Sequence, residues 1–128
     1  MQNSLVCPDL RGTWSGLTND ALVGAGIYYA PSASPDEIRF FQIPIVYTIN
    51  QQQGRNFSGT ILLGGKTNPL VGVFSADGVS GIFAIIGGTG TFTLVGTNQV
   101  NCSWCSVTTD PNNASAGPVV SCHELTRL

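Results

Sequence analysis

The stretch Gly90–Thr109, GTFTLVGTNQVNCSWCSVTT, decides how the rest of the chain is arranged. Taken with a period of two, it places Phe92, Leu94, Val100, Cys102 and Trp104 on one face. Thr93, Thr97, Gln99, Asn101, Ser103 and Cys105 fall on the other. One apolar and one polar face describe a half-buried β-strand, here long enough to bend. It holds two of the four cysteines.

Working outward, DPNNASAG after this stretch reads as a loop, and Pro118–Leu128 as the final strand. On the other side, strands are expected at Val79–Ile86, Pro69–Ser75 and Asn56–Leu63. The Asp77-Gly78 pair is a hairpin signal, and GGKTN and QQQGR (51–55) are connections. Ile38–Asn50 is apolar, but Pro44 has no N–H for a ladder and marks an edge, a bulge or a bend. APSASPDE (30–37) excludes regular structure and is a candidate lid. Strands at Leu22–Tyr29 and Arg11–Leu17 precede it. About eight short strands, with glycines such as Gly59, Gly72, Gly81 and Gly96 inside them, predict a closed antiparallel up-and-down β-barrel. A two-sheet β-sandwich is the alternative. Residues 1–10 form an N-terminal arm and 11–128 a single barrel domain.

Centring the last loop puts Cys105 opposite Cys122, both on the polar face, and brings Cys7 to the end of the chain where Cys102 lies. Disulfides Cys105–Cys122 and Cys7–Cys102, the first closing the last hairpin and the second tying down the arm, are therefore expected. The Cys102-Ser103-Trp104-Cys105 spacing also matches a zinc half-site or a redox motif. Zinc needs its ligands to converge, whereas these two cysteines point to opposite faces of a strand. The redox motif opens a helix, and none is visible. No metal and no cofactor is expected.

Only 9% of the 128 residues are charged, with a net charge of -2, against 42% hydrophobic residues. Such a chain offsets its ordering entropy by burial. Its five basic residues make no stripe to neutralise phosphates, so nucleic acid is excluded as a partner. No apolar run approaches the roughly 18 residues of a membrane span. Cysteines in a small, lysine-poor chain point to a secreted or periplasmic protein, with Met1 standing where a signal peptide was removed. Asn56, Asn101 and Asn113 head glycosylation sequons that match by composition.

Gly12-Thr13-Trp14 in the first strand and Arg127 in the last resemble the pairing of calycins, the lipocalin and avidin barrels. The resemblance implies that Trp14 closes one barrel end and packs against Arg127. GRNFSGTI (54–61) and PLVG (69–72) are similar in rhythm to avidin-like chains. The aromatic residues that hold biotin in avidins have no counterpart, so biotin does not carry over. FAIIGGTGTFTLVG (83–96) resembles the glycine-rich hairpin of dirigent and allene oxide cyclase-like barrels, which implies a stereocontrolling barrel or an enzyme.

His123, the only histidine, is assigned inward with Leu125 and Arg127; it is either a structural residue or, as function, a general base or a ligand contact. No nucleophile–histidine–carboxylate set can be placed, since Asp9, Asp20, Asp36, Asp77 and Asp110 all read as turn formers. Tyr28, Tyr29, Phe40, Phe41 and Tyr47 cluster around the lid loop. As core they need no further explanation; as function, Tyr28, Tyr29, Phe41 and Tyr47 make an apolar cup with hydroxyls for a small ligand. The leading expectation is a non-catalytic barrel that binds a small hydrophobic or amphipathic molecule. A cyclase or isomerase acting by confinement is a second, and a filled barrel binding a protein through its outer face a third. Oligomers fit any of these.

Overall fold

The computed structural model describes residues 7–30, 34–106 and 116–128. Among these lie nine strands: β1 (Gly12–Gly24), β2 (Ile38–Phe41), β3 (Pro44–Gln53), β4 (Asn56–Leu63), β5 (Lys66–Phe74), β6 (Ser80–Ile85), β7 (Gly88–Gly96), β8 (Gln99–Ser106) and β9 (Ala116–Arg127). Every pairing is antiparallel, and β1 pairs with β9. Strands β1 and β3–β9 thus form a closed eight-stranded barrel without edges, to which β2 adds a short ninth strand. Among the described residues no helix is long and apolar enough to cross a membrane.

Alternation and turn chemistry explain most of these elements. Two-residue turns join β3 to β4, β4 to β5, β6 to β7 and β7 to β8. Gly54, Gly64, Gly65 and Gly87 supply the positive φ that three of them need. The turn expected over Gln51–Arg55 is therefore shorter, with Gln51–Gln53 inside β3, and GGKTN contributes Lys66–Asn68 to β5. The expected Gly90–Thr109 strand is instead a hairpin turning at Thr97 and Asn98; residues 107–109 and most of the DPNNASAG loop lie outside the described residues.

The expected Arg11–Leu17 strand and only the start of the expected Leu22–Tyr29 strand fuse into β1, which ends at Gly24. Asn19-Asp20 reads as a turn, yet Trp14, Thr18, Asp20 and Leu22 alternate inward without a break. Pro44 does interrupt its strand: β2 and β3 pair with the same edge of β1, separated by Gln42 and Ile43. Thr18 fills the gap. Its N–H donates to the Ile43 carbonyl at 2.8 Å, and its hydroxyl accepts from the Ile43 N–H at 3.1 Å.

The interior is built from rings laid over glycines. One register row runs Phe57, Gly72, Phe83, Gly90, Trp104, Ser121, Asp20, Phe41 across successive strands. The next runs Phe74, Gly81, Phe92, Cys102, His123, Thr18. A Cβ on Gly72 would lie 2.2 Å from the Phe57 ring, and one on Gly90 2.6 Å from Phe83. The glycines therefore make room for the rings, which meet edge to face, as Phe57 and Phe74 do with Phe92 at 5.4 and 5.2 Å. A cavity of about 40 Å³ remains between them, lined by apolar side chains that include Trp14, Phe83 and Cys102.

At one end Arg127 lies 4.4 Å over the Trp14 ring. Its guanidinium donates to the carbonyls of Asp9, Arg11 and Thr97, and the Trp14 indole donates to Leu10. At the other end residues 25–29 turn into the barrel mouth as a plug. Tyr28 is buried there, donating to the Ile86 carbonyl at 3.1 Å and accepting from Asn68 at 3.2 Å.

The cysteines correct an expectation. All four are free, and neither the Cys105–Cys122 nor the Cys7–Cys102 bridge is formed. The register between β8 and β9 is two residues from the centred one: Cys105 is opposite Val120, and Cys122 opposite Ser103. Cys105 and Cys122 are thus diagonal on the outer face, at a spacing of about 7–8 Å that exceeds disulfide reach. Cys102 faces His123, not Leu125, and Cys7 packs against the core without bonding to it.

Candidate functional site at the plugged end

The inner wall beneath the plug carries the polar side chains that an otherwise apolar interior does not need. Thr18, Asp20, Ser121 and His123 are all buried. They gather because β1 and β9 pair Thr18 with His123 and Asp20 with Ser121, all four facing inward. Tyr47 reaches them across the barrel from β3.

His123 is held at both nitrogens, Nε2 2.9 Å from the Tyr47 hydroxyl and Nδ1 3.1 Å from Ser121 Oγ. Burial pushes its pKa down to about 4, so the imidazole is neutral, donating through one nitrogen and accepting through the other. Burial likewise raises Tyr47 well above the ordinary phenol range, with the fields of Cys102, Tyr28, Asp20 and Tyr29 adding to it. It pushes the Cys102 thiol up to about 12. All three groups are therefore neutral near pH 7.

Asp20 differs. It is 5% exposed, its Oδ2 accepts a short hydrogen bond from the Thr18 hydroxyl, and its Oδ1 has no partner. Tyr29 stacks on Phe41 at 5.2 Å, opposite Asp20 in the β1–β2 ladder. Burial, then the nearby Asp20 charge and a hydrogen-bond approach to Asp20, raise the pKa of Tyr29; its hydroxyl faces that carboxylate without closing a hydrogen bond to it or to another group among the described residues. Trp104, 4% exposed and edge-on to Tyr28 at 6.2 Å, leaves its indole N–H unpaired. Buried polar groups are ordinarily satisfied, so three orphans at one end of one barrel require an explanation.

The structure thus brings Tyr28, Tyr29 and Phe41 to the plugged end, with Tyr47 deeper, the register partner of Trp14 whose hydroxyl reaches His123, while Phe40 faces outward and exposed. Of the turn-forming aspartates, Asp9 is held low by Arg11, and Asp77 is held low by the Ser80 hydroxyl and the Val79 and Ser80 N–H groups. Asp20 is the exception and was missed, together with Thr18, Ser121 and the Trp104 indole. The alternation Thr18, Asp20, Leu22 was the signal that could have found it. Asp20 bonds Thr18 and not His123, so Ser121 and His123 form no relay with a carboxylate. No group of three or more metal-ligating side chains gathers among the described residues.

The outer wall has its own feature. A shallow band crosses β4–β9, with Val71 at 56%, Ile82 at 62% and Val120 at 55% exposed, and no charged residue in its lining. Compared with models of known families and with curated proteins, the chain matches none of them. The architecture itself, a closed eight-stranded antiparallel barrel, is consistent with a calycin-like one.

Proposed function

We propose that this protein is a calycin-like barrel that binds a small amphipathic molecule at its plugged end, without chemistry. The observation that carries this reading is the set of three buried, unpaired polar atoms, Asp20 Oδ1, the Tyr29 hydroxyl and Trp104 Nε1. They are set among the aromatic rings of Tyr28, Tyr29, Phe41, Tyr47 and Trp104. Apolar walls with a few fixed polar groups are what a small-molecule site requires. The small apolar cavity of about 40 Å³ in the core, lined by Trp14, Tyr47 and Phe83 among others, offers no polar partner, so a compact ligand belongs at the polar groups under the plug.

The test is native mass spectrometry after incubation with a mixed pool of small amphipathic compounds. The wild-type chain is expected to retain an adduct that Tyr29→Ala loses and Tyr47→Phe weakens. A wild-type chain that retains nothing overturns the reading.

A second reading is supported by the charge-free outer band, on which we place a second copy of the chain. Set against itself across a two-fold axis, the band meets no like charge, and Val71, Val73 and Ile82 lie exposed in it.

A further inference from the structure

We propose that the molecule taken up beneath the plug is a small organic ammonium, an amine cation that also bears a hydrogen-bond acceptor. This inference rests on the ligand-binding reading above and names its chemical class.

The argument starts from Asp20. A carboxylate withdrawn from water is costly unless it is paired, and this one has a single hydroxyl donor, from Thr18. No cation bonds it among the described residues. Arg39, two positions from Phe41 and on the same side of β2, donates to the Gly24 carbonyl at 2.7 and 3.1 Å, and its guanidinium sits 5.2 Å over Phe41. The donors that reach or face it, Thr18 and Tyr29, are neutral hydroxyls, so the negative charge calls for a positive partner.

The rings give the same sign. Tyr28, Tyr29, Phe41, Tyr47 and Trp104 surround this end, and aromatic faces attract cations, most of all where water is excluded. An anionic ligand would meet Asp20 as a like charge, and a purely apolar one would leave all three polar atoms unpaired. The Tyr29 hydroxyl faces Asp20 and can add a second neutral donor there, whereas Trp104 Nε1–H is a donor without an acceptor, so the same molecule must also accept. An arylalkylammonium carrying a hydroxyl or ring heteroatom meets every requirement.

The experiment is isothermal titration of the full chain with three probes of matched size, each carrying a ring hydroxyl: 2-(4-hydroxyphenyl)ethylammonium, 2-(4-hydroxyphenyl)ethanol and 3-(4-hydroxyphenyl)propionate. The ammonium is expected to bind at least tenfold tighter than the alcohol, with the carboxylate weakest, and Asp20→Asn should abolish the ammonium preference. In the amide spectrum the indole N–H of Trp104 should shift on binding, while that of Trp14, already bonded to Leu10, should not. An alcohol that binds as tightly as the ammonium in the wild-type chain overturns the amine assignment and leaves the ligand-binding reading standing. That comparison needs no variant, so it holds even if Asp20→Asn fails to fold. No binding of any of the three probes overturns the amine assignment, whereas the ligand-binding reading falls only if the mixed pool also leaves no adduct.

Discussion

His123 shows how a single buried group sets the acid limit of the fold. Its pKa falls from the ordinary 6.5 to about 4 because the imidazolium would lose its water. Between those two values the unfolded chain takes up a proton that the folded chain does not. Stability present above pH 6.5 is therefore lost as pH drops toward 4, by about 3 kcal/mol in total. Urea unfolding midpoints measured from pH 7 to pH 4 are expected to fall for the wild-type chain. In His123→Gln this part of the slope should vanish. The inward assignment of His123, Trp104 and Cys102 was legible, because alternation within one strand survives any error of register. Asp20 was not, because Asn-Asp is a strong turn signal, and only the closing of β1 on β9 makes that position interior.

At the scale of strands, the hidden turn at Thr97 and Asn98 has a physical cause. A two-residue hairpin normally exchanges odd for even inward positions, as between β6 and β7, where Phe83 is opposite Gly90. Between β7 and β8 a bulge at Leu94–Gly96 restores the parity, so Phe92 and Cys102 are opposite and both face inward. The alternation thus runs through the turn unbroken and reads as one long strand. The strand glycines were legible as a sign of curvature; their pairing with rings required the register. Gly72→Ala tests that pairing. Its methyl would land on the Phe57 ring, so the chain is expected to lose about 2 kcal/mol in denaturant unfolding. Gly65→Ala is the informative contrast, since a Cβ there meets nothing and only the positive φ opposes it.

For the whole molecule, closure was legible from strand count, short turns and the Gly12-Thr13-Trp14 and Arg127 pair, because a closed wall leaves few other arrangements for so many short strands. The cysteine bridges were not legible, since the outcome depended on a two-residue difference in the β8–β9 register. The outer band makes a prediction at this scale. It spans six strands, about 24 Å around the wall but narrow along it, so the expected dimer is weak. Sedimentation should show a monomer–dimer equilibrium that Ile82→Lys shifts to monomer, while a monomer at all concentrations excludes the band as an interface between copies.

The seam between β1 and β9 has a further consequence, for the order of events in time. The first and last strands are neighbours, and Arg127 reaches back to Asp9 and Arg11. A ribosome must release nearly the whole chain before the wall can shut, and until then β1 and the growing sheet each show an unpaired edge. Such distant contacts carry a large loop entropy that must be met before they are rewarded, which places folding in the slow range, about milliseconds to seconds. The low charge of the chain gives this open intermediate little electrostatic protection. Crowding during synthesis, more than heat applied to the finished barrel, is the condition under which this chain is most exposed to aggregation.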